Sequence, residues 1–164
     1  RLGDRSRPPR RRTRALTPRD RRRPSPRVRP PLSSLPLMLA RMAAMRTRLI
    51  KSFDFDCAHH LPCFPPTHKC HGIHGHTMKV DVVIEGELPE GRDYLIDFAD
   101  IKAAVEPIRN QLDHKLLNDV EGLEVPTVER LAAWVWDRLK PELPQLVRLR
   151  VYETADNVCE YEGP

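Results

Sequence analysis

A chain of 164 residues has room for one domain with a modest core. Its formal charge of +5 averages two unlike parts: residues 1–45 hold 14 Arg and 2 Asp, a net of +12, while residues 46–164 hold 14 basic and 21 acidic side chains, a net of −7. The acidic second part argues against a nucleic-acid binder, and no apolar run reaches the roughly 18 residues of a membrane span.

Residues 1–45 also hold eight of the 17 prolines, with runs such as Arg10-Arg11-Arg12 and Pro24-Ser25-Pro26-Arg27. Such a segment has little to bury and is expected to be disordered. It reads as a basic tail for nucleic acid or a membrane surface, as an Arg-rich targeting peptide, or as sequence outside the native protein. The last is favoured, because Met38, Met42 and Met45 each offer a start just ahead of the patterned region. The expected division is therefore an extension over 1–45 and one domain over 46–164.

Thr47–Phe55 alternates loosely and predicts a first strand. Residues 56–75, with Pro62, Pro65, Pro66, Gly72 and Gly75, predict mostly loop. His76–Glu87 predicts a second strand with Met78, Val80, Val82 and Ile84 on one face. Asp97 is placed to cap a helix whose stripe is Phe98, Ile101, Val105, Ile108 and Leu112, with Pro107 expected to kink it. Thr127 caps a second, with Val128, Leu131, Ala132, Val135 and Leu139 as its stripe, ended by Pro141 and Pro144. Val147, Leu149 and Val151 alternate in a third strand, and 157–162 forms a fourth. The order β-β-α-α-β-β predicts an α+β fold, an antiparallel sheet with two helices on one face.

Six of the seven histidines fall between His59 and His76. His74-Gly75-His76 on a strand points two imidazoles to one side, with Gly75 expected to leave the space between them open. Both can then reach one metal ion, with His59 or His60 as a third ligand. Three nitrogens leave a tetrahedral position open, the pattern of catalytic zinc. A closed site using Cys57, Cys63 or Cys70 is the alternative, weakened by the absence of a Cys-x-x-Cys pair. The four cysteines are expected to be thiols. Cys70, four residues before His74, is a candidate base or nucleophile, since a nearby dication lowers a thiol pKa. Asp113-His114 at a helix end is a candidate acid–base pair. Glu153 closes a strand; it reads first as an exposed acid, and if it faces a pocket it could accept two N–H donors from an aminopyrimidine ring.

Seven segments in order then resemble one family: Phe55-Asp56-Cys57-Ala58-His59-His60-Leu61, His68-Lys69-Cys70, His74-Gly75-His76, Ile96-Asp97-Phe98, Leu112-Asp113-His114-Lys115-Leu116-Leu117-Asn118, Pro126-Thr127-Val128-Glu129 and Glu153-Thr154. Residues 48–163 resemble the 6-pyruvoyltetrahydropterin synthase / 6-carboxytetrahydropterin synthase family, and the short Cys70–His74 spacing is similar to its bacterial carboxy branch. The resemblance implies the tunnelling (T-)fold, a homo-oligomer, usually a hexamer of two stacked trimers, with active sites between subunits. It assigns Zn2+ to His59, His74 and His76, the base to Cys70, an acid–base pair to Asp113 and His114, and substrate contacts to Glu153 and Thr127. His60 stands where the family commonly has arginine. The implied reaction is a cytoplasmic step of queuosine biosynthesis: 7,8-dihydroneopterin triphosphate to 6-carboxy-5,6,7,8-tetrahydropterin, with loss of acetaldehyde and triphosphate. Pyruvoyl-type chemistry on that substrate and a non-catalytic zinc- or pterin-binding domain are the alternatives.

Overall fold

Two long strands carry the fold. β1 (Arg46–His59) and β2 (His74–Glu87) pair antiparallel without interruption, from Arg46 opposite Glu87 to His59 opposite His74. The computed structural model describes residues 45–164; the Arg- and Pro-rich extension, with its three readings, lies outside the described residues. β1 runs four residues beyond its predicted end and β2 starts two residues early. The reason is that alternation continues: Phe53, Phe55, Cys57 and His59 are all buried on one face, and the first proline comes only at Pro62.

Helix α1 (Phe98–Leu112) begins where expected, with the Asp97 carboxylate accepting the Ala99 N–H at 2.8 Å. Ile101, Val105, Ile108 and Leu112 are buried, but Phe98 is largely exposed and leaves the stripe. Pro107 offers no N–H to the Ala103 carbonyl, yet the helix continues five residues past it. A two-residue strand, β3 (Lys115–Leu116), pairs in parallel with Cys57–Ala58. It is too short to leave a periodic signal. Helix α2 (Val128–Leu139) is capped by Thr127 and buries Leu131, Ala132, Trp134, Val135, Trp136 and Leu139.

β4 (Leu146–Tyr152) and β5 (Val158–Tyr161) complete a sheet ordered β3-β1-β2-β4-β5. The pairing of β2 with β4 slips between Val83 and Ile84, so that Ile84 faces Leu146. That slip puts Leu146 in the core with Leu149 and Val151, and Val147 is only partly buried, against simple alternation. Both helices join one hydrophobic cluster with the Phe55, Met78, Val80 and Val82 face of the sheet. The other face is mostly polar, although Val83 is buried on it. Asp81 is buried there, held by Ser52 Oγ (2.6 Å), Lys79 Nζ (3.1 Å) and Tyr152 Oη (3.2 Å).

Candidate active site

The last rung of the β1–β2 ladder sets His59 opposite His74, and Cys57 is opposite His76. The three imidazoles each present one nitrogen, and these nitrogens lie within 4.8 Å of one another. Of the two adjacent histidines, His59 is the one in the cluster; His60 has its backbone N–H and carbonyl bonded to the Asn118 side chain, at 2.9 Å each. Gly75 does not open space between the imidazoles. It faces the other way, where a Cβ would crowd the Cys57 carbonyl oxygen at 3.3 Å.

Tautomers follow from the partners. His59 Nδ1 faces the Pro126 carbonyl (3.0 Å) and His74 Nδ1 faces the Gly72 carbonyl (2.9 Å), so both Nδ1 atoms carry the proton and donate. Their Nε2 lone pairs then point at each other across 3.1 Å, with no proton between them. His76 Nε2 is buried and has no hydrogen-bond partner. The two unprotonated nitrogens of His59 and His74 repel unless a cation lies between them, and the unpartnered His76 Nε2 faces the same point. A tetrahedral zinc with nitrogens at about 2.0–2.1 Å would set them roughly 3.3 Å apart. The donor set therefore fits a nitrogen-preferring divalent metal. Burial, the largest influence, pushes the His59 pKa down, and His74 and His76 push it the same way against the Pro126 bond and Glu153. The neutral ring needed of a ligand is thus the favoured one.

Glu153 reaches the same point from the end of β4. Its Oε1 lies 3.7 Å from His59 Nε2 and 3.9 Å from His76 Nε2. Thr127 follows Pro126, whose carbonyl orients His59, and its hydroxyl accepts the Arg130 N–H at 3.4 Å. Asn118 is the residue with no role assigned from sequence. Besides clasping His60 on both sides, its Nδ2 donates to the Glu124 carbonyl (3.2 Å), two residues before Pro126. It ties the end of β1 to the segment that orients His59. The signal lay in the motif, as an amide at the end of Leu116-Leu117-Asn118, but the His60 backbone it clasps is 58 residues away.

Cys70 sits on a single 3-10 turn, Lys69–His71, and its sulfur is not in the nitrogen cluster. Cys57 is buried in the core, and burial, helped by Asp56, Asp113 and Glu153, pushes its thiol up to about 12. It is a protonated core residue. Cys63 is exposed, and burial raises the Cys159 thiol.

Asp113 and His114 do converge. Asp113 Oδ1 lies 3.0 Å from His114 Nδ1 and also accepts the Asp56 N–H (3.1 Å), while Arg109 holds Oδ2 at 3.0 Å. The Asp56 bond first, then His114 and Arg109, keep the Asp113 carboxyl below its ordinary range. His114 takes a left-handed φ of 58°, an uncommon conformation for a non-glycine residue, and its N–H bonds the Asp56 carbonyl. The helix thereby turns into β3 with the ring 77 % exposed. Asp56 lies on the opposite face of β1 from His59 and three residues away, roughly 10 Å. Within one chain, the pair and the nitrogen cluster occupy different places.

Residues 48–164 match the family described as 6-pyruvoyl tetrahydropterin synthase. The chain belongs to that family. A 6-carboxy-5,6,7,8-tetrahydropterin synthase of Synechocystis is 34 % identical over 122 residues, 71 % of this chain and 93 % of that one. A dihydroneopterin monophosphate aldolase of Pyrococcus furiosus is 35 % identical over 106 residues, 65 % of this chain and 86 % of that one. The fold is shared with the 6-pyruvoyl tetrahydropterin synthase of Caenorhabditis elegans, with a TM-score of 0.69, 24 % identity, and coverage of 74 % of this chain and 99 % of that one. This member of the 6-pyruvoyl tetrahydropterin synthase family is a pterin lyase with the T-fold, and its histidine cluster could hold a metal ion. No helix among the described residues is long and apolar enough to cross a membrane.

Proposed function

We propose that the chain is a zinc-dependent 6-carboxy-5,6,7,8-tetrahydropterin synthase. It takes up water and 7,8-dihydroneopterin triphosphate and releases acetaldehyde and triphosphate, as a cytoplasmic step toward queuosine. The observation that carries the metal-dependent reading is the convergence of three imidazole nitrogens, one of them buried without a partner. The likeness to the Synechocystis enzyme supports the carboxy product.

His59, His74 and His76 would hold the zinc, which when bound would supply a Lewis acid for the side-chain oxygens of the substrate and so acidify the neighbouring C–H. Cys70, as thiolate, takes that proton. His114, kept in one orientation by Asp113, delivers or removes protons on the other side. Glu153 accepts N–H donors of the pterin ring, Thr127 contributes a further substrate contact, and the 3.7 Å between Glu153 Oε1 and His59 Nε2 supports a ring bound near the histidine cluster. An acid–base histidine that is 77 % exposed works poorly in bulk water. A second copy packed against the β3 edge of the sheet, where His114 lies, would exclude that water and bring its own nitrogen cluster to the pair. This supports a homo-oligomer, in keeping with the stacked trimers the family resemblance implies.

The deciding experiment is product identification after incubation with 7,8-dihydroneopterin triphosphate and zinc. Equal amounts of acetaldehyde and triphosphate are expected, with 6-carboxytetrahydropterin. Triphosphate without acetaldehyde would assign pyruvoyl chemistry, a phosphorylated hydroxyaldehyde would assign aldol cleavage, and bound zinc without turnover would leave a binding domain.

A further inference from the structure

The loop that carries Cys70 has a built support. One turn of 3-10 helix has almost no stability of its own, because a single turn fixes several dihedrals for few hydrogen bonds. Something must hold Lys69–His71 in place, and the atoms that do so are in sight. The Cys70 N–H donates to His68 Nδ1 at 3.1 Å, which makes His68 the N-cap of the turn. The Cys70 carbonyl accepts the N–H of Leu61 at 2.8 Å, and Leu61 is buried just beyond the end of β1. The His68 ring stacks on Phe64, with centroids 4.3 Å apart and planes at 18°. His71 Nδ1 donates to the Phe64 carbonyl at 2.9 Å, and the His68 N–H to the Pro65 carbonyl at 2.8 Å. Phe64, His68 and His71 therefore clasp the loop across its width, and Leu61 ties it to the core.

The two loop histidines serve through opposite tautomers. His71 faces a carbonyl and carries its proton on Nδ1; His68 faces an N–H and must leave Nδ1 free. Neither belongs to the nitrogen cluster. On sequence alone, they read as bystanders of the metal site.

We propose that His68 is a positioning residue for the reaction: it fixes the backbone of Cys70, and with it the direction of the thiol, by capping the turn while seated on Phe64. The proposal rests on the reading of Cys70 as the base. A proton acceptor must be held within about half an ångström of its working position, and misplacement by about 1 Å can cost about a hundredfold in rate. His68 is thus expected to govern turnover without touching substrate or metal.

The test compares His68→Ala, His68→Asn and Cys70→Ala, each zinc-loaded, in steady-state kinetics with zinc content and melting temperature measured in parallel. His68→Ala is expected to lower kcat about tenfold to a hundredfold while KM stays within about twofold and zinc remains stoichiometric. His68→Asn keeps a capping acceptor at the same place and is expected to recover most of the loss. An unchanged kcat in His68→Ala overturns the proposal. So does loss of zinc in that variant, which would make His68 a support of the metal centre, and so does an Asn variant no better than Ala. Retained turnover in Cys70→Ala instead overturns the reading of Cys70 as base, which separates the two failures.

Discussion

At the scale of single residues, the centre is built from partners that decide proton positions. His59 and His74 give their Nδ1 protons to carbonyls and so free Nε2. Groups that orient a ligand in this way typically matter about 10- to 100-fold in metal affinity. Asn118→Ala is expected to weaken zinc binding by about that factor in a chelator competition, with the melting transition still cooperative, because the amide acts on His60 and Glu124 rather than in the core. Asp113 yields a pH signature. Its carboxyl is held below its ordinary value, so the stability it contributes is full above the unfolded value near pH 4. That stability is lost as pH falls through the lower folded value. Urea unfolding of the parent and of Asp113→Asn is expected to differ at pH 6 and to converge at the acid end. The histidine cluster and the Asp–His pair were legible because each is a chemical type at a telling spacing. Asn118 was not, since the His60 backbone it clasps stands 58 residues off. The roles of Pro126 and Leu61 were invisible because backbone groups act there, and any side chain would have offered the same carbonyl or N–H.

At the scale of elements, periodicity gave the two helices almost to the residue, with Asp97 and Thr127 at their caps. It failed where the sheet departs from a plain period of two. β3 is two residues long, and β4 faces a slipped register, so the core takes Leu146 where alternation with Leu149 and Val151 names Val147. A slip of this kind is written in the partner strand as much as in the strand itself. Leu146→Ala is expected to cost about 2–5 kcal/mol as a fully buried leucine. Val147→Ala should cost clearly less, and urea denaturation of the pair of variants checks the order. If the two costs were reversed, the register at Val83/Ile84 would be wrong. The early end predicted for β1 had a simpler cause: the motif Asp56-Cys57-Ala58-His59 looks like loop chemistry but keeps the strand's alternation to the last residue.

At the scale of the whole molecule, the nitrogen cluster and the Asp113–His114 pair lie at different places on β1. A substrate served by both then needs two chains. Mixing Cys70→Ala with His114→Ala, each inactive alone, is expected to restore a measurable fraction of parental turnover after subunit exchange. Silence of the mixture would place both groups in one chain's site. Recovery in the mixture would make the exposed ring of His114, and the left-handed backbone that presents it, features of an assembly rather than of the subunit.

The long β1–β2 ladder has one more consequence. Fourteen rungs hold the hairpin together before its connecting loop, residues 60–73, has to contribute anything. That loop carries Cys70 and its clasp at the far end of a scaffold that does not depend on its length. Lengthening a loop is thermodynamically mild, about 0.6 kcal/mol for each doubling. Insertion or deletion of residues here would therefore move Cys70 relative to the histidine cluster at little cost to the sheet. A sheet that is indifferent to its loop leaves the placing of Cys70 as a heritable variable separate from foldability.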